Sequence, residues 1–160
     1  MAVNLVTKDI GIEHKLKVAY AAWGRGDISA LLVLFTDDCE FTLVGNPALN
    51  LHAGLRVGIA GLREVFEHFH RMFEVREFLI EKIVAKDDDA FVHWHSSLVF
   101  RPNGRVIESE RCDLIRFRGG LVHSIRCFYD SASMALITGR AQVATPDTRL
   151  PMPLNGLKTG

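Results

Sequence analysis

The stretch that decides the fold is AFVHWHSSLVFRPNGRVIESERCDLIRFRGGLVHSIRCFYD, residues 90–130. Its apolar residues recur with a period of two, which is typical of β-strands. Pro102-Asn103-Gly104 and Gly119-Gly120 interrupt this pattern, and asparagine and glycine accept the positive φ that tight turns need. With the stretch before it, the pattern predicts an antiparallel meander of four strands, near residues 76–86, 90–101, 105–118 and 121–130.

Helical periodicity dominates the part of the chain that precedes the meander. A first helix is predicted over about residues 8–24, because apolar residues recur there at helical spacing: Ile12, Leu16, Ala19, Tyr20 and Trp23. Asp27 can cap a second helix that runs through Phe35. A short strand over 40–44 and an extended piece over 54–58 then precede a third helix, whose apolar face holds Leu62, Phe66, Phe69 and Phe73. Helices followed by a meander predict an α+β fold.

Length and composition exclude several classes of protein. The chain has 160 residues, a net charge of zero and a pI near 7.1, so no nucleic-acid partner and no membrane partner is expected. No apolar run reaches bilayer length, and no signal peptide is recognisable at the start. The three cysteines form no CxxC pair, which predicts a reducing cytoplasmic location without a structural zinc site.

The last twenty residues differ from the rest of the chain. Residues 141–160 contain three prolines and little periodicity. We therefore predict a single domain over 1–140 and a tail over 141–160 that docks on the domain or on a partner subunit. The candidate anchors of this tail are Leu150, Met152, Leu154 and Leu157.

Three groups of residues resemble a known family. They are YAAWGRGD (20–27) with FTDD (35–38), GLRVG (54–58), and DLIRF (113–117) with Gly119-Gly120 and FYD (128–130). Over about residues 10–131 the chain resembles the SnoaL-like group of the ketosteroid-isomerase and nuclear-transport-factor superfamily. The resemblance implies a cystatin-like cone, in which a curved antiparallel sheet wraps three N-terminal helices around an apolar pocket. It also implies a homodimer through the convex sheet face.

The resemblance also implies which strand residues face the pocket. On its register the inward residues are Trp94, Ser96, Leu98, Phe100, Arg111, Asp113, Ile115, His123, Ile125, Cys127 and Tyr129. The helices would add Ala19, Trp23, Phe66 and His70 as contacts for a small apolar molecule. The outward set would include His93, His95, Ser97, Val99, Cys112, Leu114, Arg116 and Arg126. For the aromatic side chains Trp94, Phe100 and Tyr129, a core role is the alternative to ligand contact.

Asp113 is the strongest catalytic candidate, together with Arg111 and Tyr129. It resembles the acid of ketosteroid isomerase that stays protonated and donates a hydrogen bond to an oxyanion. A carboxyl group in an apolar cavity resists ionisation, so it can donate or accept a proton near neutral pH. The alternative is an ion pair with Arg111, about 7 Å away along the same strand face, which would lower the pKa of Asp113 instead.

Other parts of the related active sites are missing. Leu43 stands where ketosteroid isomerase has its catalytic base, and Ala19 stands where it has its tyrosine. Tyr20 is expected to point about 100° away from Ala19 around the helix. The Asp–Arg–Asp positions of limonene epoxide hydrolase fall on Trp94, Ser96 and Cys127. These absences disfavour both mechanisms.

Three functions therefore stay open. The chain could be an acid–base isomerase, cyclase or dehydratase acting on an apolar carbonyl compound. It could instead be a non-catalytic binding cone, or a dimerisation domain. No cofactor is expected.

The seven histidines do not assemble a predicted metal site. His93 and His95 share a strand face, but a site needs a third or fourth ligand. These two are expected on a wet surface or a subunit interface. His68 is expected to be solvated, and His52 and His70 to border the pocket mouth.

Overall fold

A computed structural model describes residues 11–143. Four helices are present in this part of the chain: α1 (Ile12–Gly24), α2 (Ile28–Leu32), α3 (Gly58–Met72) and α4 (Ser131–Ile137). The strands are β1 (Phe35–Leu43), β2 (Gly54–Val57), β3 (Phe73–Lys86), β4 (Asp89–Phe100), β5 (Arg105–Arg118) and β6 (Leu121–Tyr129). The predicted α+β architecture, with N-terminal helices packed on a curved six-stranded sheet, is confirmed.

The sheet has the order β2-β1-β6-β5-β4-β3. The meander from β3 to β6 is antiparallel throughout. Gly119 and Gly120 form its last turn with φ values of 60° and 79°, the backbone that two-residue hairpins favour. One pair departs from the antiparallel prediction: β1 runs parallel to β6, with Phe41 opposite Ile125. Parallel pairing is possible here because a long connection, almost the whole domain, separates the two strands.

The helices fill the concave face of the sheet. On α1, Leu16, Ala19 and Tyr20 are buried at helical spacing, and Trp23 packs against the same core. On α3 the buried residues are Leu62, Val65, Phe66 and Phe69. These two apolar stripes meet the inward residues of β4, β5 and β6, so the core lies inside the cone.

Several element boundaries differ from the sequence prediction. The second helix ends at Leu32, and Phe35 begins β1 because its backbone pairs with Val122. Likewise Phe73 is not in α3 but opens β3 opposite Phe100. In both cases pairing within the sheet overrides local helical periodicity.

The C-terminal helix α4 was absent from the sequence prediction. Asp130 caps it by accepting hydrogen bonds from the backbone N–H groups of Ala132 and Ser133. This helix covers a second apolar cluster that contains Phe69, Phe73, Leu98, Phe100, Ile107 and Met134. The predicted tail anchors, Leu150 to Leu157, lie outside the described residues.

None of the helices within residues 11–143 is long and apolar enough to cross a membrane.

Candidate functional site

A cavity of about 80 Å³ opens between α1, α3 and the concave sheet face. Most of its wall is apolar, and includes Leu16, Leu31, Phe35, Phe41, Leu43, Val65, Phe69, Ile115 and Val122. Ionisable side chains enter the wall from α1, from the segment after β1, and from β5 and β6: Tyr20, His52, Arg111, Asp113 and Cys127. The site is thus an apolar chamber with a few polar groups, the usual form of a small-molecule site.

Asp113 lies deep in this cavity, with only 4% of its surface exposed. One carboxyl oxygen, Oδ2, accepts hydrogen bonds from the Tyr20 hydroxyl and, at 2.8 Å, from the Trp94 indole Nε1. The other oxygen, Oδ1, is buried and has no hydrogen-bond partner in the described part of the chain. Burial raises the pKa of Asp113 above its ordinary 3.8, against the opposing effects of Cys127, Tyr20, Trp94 and Arg111.

Arg111 is buried beside Asp113, two residues earlier on β5. Its Nε donates to Ser109 Oγ at 3.0 Å, and its Nη1 lies 3.9 Å from Cys127 Sγ. Its Nη2 has no hydrogen-bond partner among residues 11–143. Within the same residues no carboxylate oxygen lies within 4.0 Å of the guanidinium, so the ion pair with Asp113 that the sequence left open is not formed.

Aromatic rings fix the Arg111 guanidinium in place. Its Cζ lies 5.2 Å from the ring centroid of Trp94, 5.3 Å from that of Tyr129 and 5.8 Å from that of Phe69. Each contact is within the range of a cation–π interaction. The rings therefore stabilise the positive charge without neutralising it.

Tyr20 lines the cavity and contacts Asp113, although the sequence did not predict it as a site residue. The offset of about 100° from Ala19 does not take Tyr20 out of the pocket, because both residues line the cavity. The reason is the width of the apolar stripe on α1, which spans Leu16, Ala19, Tyr20 and Trp23 and so admits two adjacent residues. Burial, followed by the nearby Asp113, raises the pKa of the Tyr20 hydroxyl well above its ordinary value.

The structure brings most of the predicted site residues together. The cavity is lined by Ala19, Trp23, Phe66, Trp94, Arg111, Asp113, Ile115, Ile125 and Cys127. Three predicted residues of β4 lie outside this lining. Leu98 and Phe100 pack in the second cluster because β4 continues past the cavity beneath α4, and Ser96 is fully buried in the sheet.

His123 also lies outside the cavity lining, contrary to the strict alternation assumed for β6. The register of β5 and β6 shifts between Arg116 and Phe117, so that Val122 pairs with Phe117 and Ser124 with Arg116. His123 is the extra residue of this bulge, and its Nδ1 lies 3.2 Å from Thr36 Oγ1. Val122 takes its place in the wall.

Tyr129 and His70 are adjacent to the wall without belonging to it. The Tyr129 hydroxyl accepts a 2.6 Å hydrogen bond from Asn50 Nδ2 while its ring lies against Arg111. The His70 ring packs 5.4 Å from the ring of Trp23, and burial lowers its pKa. The Tyr129 ring therefore contacts Arg111 from outside the cavity lining.

His52 lines the cavity and joins it to a paired histidine. Its Nε2 lies 3.0 Å from Nδ1 of His68, so His68 is half-buried and paired, whereas the sequence predicted a solvated side chain. Burial lowers the pKa of His52 to about 4. The His52 imidazole is consequently neutral at ordinary pH.

The outer sheet face carries the histidines that the sequence assigned to it. His93 Nε2 lies 2.6 Å from Glu110 Oε1, and His95 Nε2 lies 3.2 Å from Glu108 Oε2. Residues 11–143 contain no group of three or more His, Cys, Asp or Glu side chains arranged to hold a metal ion.

The fold and its chamber define the class of protein. The chain superposes on an NTF2-like protein from Burkholderia xenovorans with a TM-score of 0.66 and 26% identity, over 79% of this chain and 94% of that one. A proposed isomerase from Rhodopseudomonas palustris gives a TM-score of 0.70 at 18% identity, over 80% and 98%. TerC, co-crystallised with polyporic acid, gives 0.69 at 15% identity, over 79% and 97%. These similarities show the NTF2-like cone.

The family follows from the sequence match. A family model of the SnoaL-like domain matches residues 17–125, more than half of the chain. The protein therefore belongs to the SnoaL-like family. No curated protein sequence matches it.

Proposed function

We propose that this protein binds a small carbonyl compound in its cavity and catalyses proton transfer on it, with Asp113 as the acid–base residue. The observation that carries the proposal is Asp113 itself, a buried carboxyl group whose pKa is raised and whose Oδ1 is unpartnered in an apolar chamber. A carboxyl group in this state is suited to exchange a proton near neutral pH.

Two neighbouring side chains, Asp113 and Arg111, would serve the successive steps of such a reaction. Ionised Asp113 would take a proton from the carbon next to the carbonyl group, and the electron pair would move onto the carbonyl oxygen as an enolate. Arg111 would stabilise that oxygen because its guanidinium is buried and held against the Trp94 ring. Protonated Asp113 would return the proton to a different carbon in an isomerisation. In a cyclisation the enolate carbon would instead attack a second carbonyl group, whose oxygen would take the proton from Asp113. In a dehydration the enolate would expel a β-hydroxyl group, which would leave as water with that proton.

The size of the chamber limits the substrate. About 80 Å³ is smaller than the cavity of roughly 150 Å³ that holds benzene in an engineered protein. Small unsaturated ketones therefore come before polycyclic compounds as test substrates. The similarity to TerC, which was co-crystallised with polyporic acid, supports a small-molecule ligand for this fold.

Deuterium exchange tests the proposal directly. A panel of small cyclic and unsaturated ketones would be incubated with the protein in D₂O, and exchange next to the carbonyl group followed by NMR. We expect Asp113→Asn to slow protein-dependent exchange by about 10²–10⁴-fold. Asp38→Asn, which changes an exposed carboxylate on β1, is the matched control and should retain the full rate. Equal rates in Asp113→Asn and the unmutated protein would contradict the acid–base role.

A second candidate is a binding protein without catalysis. Leu43 favours a binding role, because this apolar residue lines the cavity at the position where ketosteroid isomerase has its catalytic base. Under this alternative, small ketones raise the melting temperature but no protein-dependent exchange occurs. The same two measurements therefore separate the two functions.

We also propose a homodimer through the outer sheet face and a cytoplasmic location. Exposed apolar side chains share the face of the His93 and His95 pairs: Leu79, Val84, Phe91, Val106 and Phe128. Light scattering at several protein concentrations tests the dimer. Phe91→Glu should yield a monomer if this face is the interface, and a Phe91→Glu dimer of unchanged stability would contradict it.

A further inference from the structure

The cavity contains a buried positive charge, Arg111, that has no carboxylate oxygen within 4.0 Å among residues 11–143. Arg111 is 6% exposed, and its polar contacts are to a serine hydroxyl and a cysteine thiol, both neutral. Its Nη2 is unpartnered among the described residues. A buried charge in this condition is costly unless it is paired, so the missing partner is informative.

The other ionisable groups of the wall do not supply that partner. Tyr20 and Cys127 stay neutral, since burial raises the pKa of each well above its ordinary value. His52 is neutral as well, because burial lowers its pKa. Its protonated form would be a cation, which could not balance the charge of Arg111. Asp113 is the remaining acid, and its carboxyl group is hydrogen-bonded to Tyr20 and Trp94 rather than to Arg111.

We infer that the ligand enters this cavity as an anion, a flat apolar molecule whose carboxylate or ionised enol oxygen accepts a hydrogen bond from Arg111 Nη2. This inference rests on the proposed function only in taking the same cavity as the ligand site. It sharpens the substrate class from a neutral carbonyl compound to one that carries an anionic oxygen group.

The geometry suits an anion of this shape. Phe69 and Trp94 line the cavity and also contact the guanidinium, so the apolar part of a ligand held by Arg111 would lie against aromatic rings. An anion bound beside Asp113 favours the protonated form of that carboxyl group, because two negative charges repel each other at short range. With an ionised enol as the ligand, protonated Asp113 would deliver its proton to carbon, the reverse of the abstraction proposed above; with a carboxylate ligand, Asp113 would have to lose this proton before it could act as the base.

Calorimetric titration with matched pairs of ligands tests the inference. Crotonate would be compared with crotonamide, which has the same shape without the charge. For the enol arm, 1,3-cyclohexanedione, ionised at neutral pH, would be compared with cyclohexanone. We expect each anion that fits to bind about thirtyfold or more tightly than its neutral counterpart. Equal affinity within every pair would overturn the inference, and binding in one pair alone would identify the source of the anionic oxygen.

Substitutions of Arg111 then locate the charge that matters. Arg111→Met keeps much of the apolar stem and should remove the preference for the anion, while its melting temperature stays the same or rises because an unpaired buried charge is lost. Arg111→Lys is the second variant should Arg111→Met not fold. It keeps a positive charge but not the planar donor pair, so it should retain a weakened preference. Unchanged anion binding in a folded Arg111→Met would overturn the inference.

Asp113→Asn separates this inference from the proposed function. The amide cannot ionise, so anion affinity should be kept or increased while deuterium exchange is lost. Anion preference without any exchange in the unmutated protein would refute the catalytic proposal alone. Exchange of ketones with no anion preference would refute the inference alone.

Discussion

Strand β5 carries charged residues on both faces, and the two faces treat them differently. On the outer face Glu108 and Glu110 lie within hydrogen-bond distance of His95 and His93, in contact with solvent. On the inner face Arg111 and Asp113 are almost fully buried, and each keeps one unpartnered polar atom among the described residues. The histidine–glutamate pairs form on the outer face, where solvent screening makes each pair contribute little to stability. The unpartnered polar atoms lie on the inner face, where burial makes a missing partner most costly. The difference supports the proposal that the inner charges serve a ligand in the cavity.

The largest expected difference between the faces concerns packing. Ile115 is fully buried on the inner face, and its neighbour Leu114 is partly exposed on the outer face. We expect Ile115→Ala to lower the free energy of unfolding by about 2–5 kcal/mol, since it leaves a void in the core. Leu114→Ala should lower it by less than about 1.5 kcal/mol. Urea denaturation of both variants measures the contrast, and similar losses would show that the outer face is also covered.

A smaller effect is expected from the hydroxyl group that holds Asp113. Tyr20→Phe removes a buried donor to Asp113 Oδ2, which should cost about 1.5–3 kcal/mol where the carboxyl group is ionised. The cost should shrink at low pH, where Asp113 is protonated in both proteins. Tyr129→Phe is the matched control, because its half-buried hydroxyl accepts a bond from Asn50 rather than serving Asp113. A larger loss in Tyr129→Phe than in Tyr20→Phe would contradict this ranking.

The pH dependence of stability should have opposite signs for a buried carboxyl group, Asp113, and an exposed one, Asp38. Burial raises the folded-state pKa of Asp113 above 3.8, so the folded protein binds more protons there and loses stability as pH rises through that pKa. Asp113→Asn should therefore gain stability relative to the unmutated protein as pH increases. A relative gain that is greatest in acid would reverse the assignment.

Asp38 gives the opposite sign on the exposed side of the molecule. Its hydrogen bond with Arg118 lowers its folded-state pKa, so the stability it contributes is present above pH 3.8 and is lost as pH falls. Asp38→Asn should be slightly less stable than the unmutated protein at neutral pH and equal to it in strong acid. Urea midpoints between pH 2 and pH 8 measure both carboxyl groups in one series, where these limits span roughly the carboxyl titration range.

The smallest effect is expected at the outer histidine pairs. Glu110 is well exposed, so Glu110→Gln should change the free energy of unfolding of the monomer by no more than about 0.5 kcal/mol. A concentration-dependent loss would instead place this pair in the proposed dimer interface. Thermal melts at low and high protein concentration distinguish the two results.

Much of the fold could be predicted because local signals agreed with the final structure. The turns at Gly104 and at Gly119-Gly120, the cap at Asp27 and the period-two strands all follow from residues that act on their own neighbourhood. Where partners distant in sequence decide, prediction failed. Phe35 and Phe73 match helical periodicity but form strands because Val122 and Phe100 pair with them.

The same division explains the site. Alternation along β5 correctly put Arg111 and Asp113 on one face, since the strand is regular there. Alternation along β6 gave the wrong face for His123, because no residue type in β6 predicts the bulge. The angle between Ala19 and Tyr20 on α1 does not decide whether Tyr20 reaches the cavity. The width of the apolar stripe on α1 decides it, and this stripe includes both residues. That signal was available in the sequence at Leu16 and Trp23.

The parallel pairing of β1 with β6 has a consequence for how the chain is made. Thr36 and His123, which meet across this seam, stand 87 residues apart in sequence. Contacts of such high sequence separation form late and slowly, because the loop between them must first be ordered. During synthesis the apolar stripes of α1 and α3 therefore leave the ribosome well before the strand that encloses them. We therefore expect the nascent chain to expose the apolar residues of its future cavity until β6 emerges, and to be a chaperone client until then.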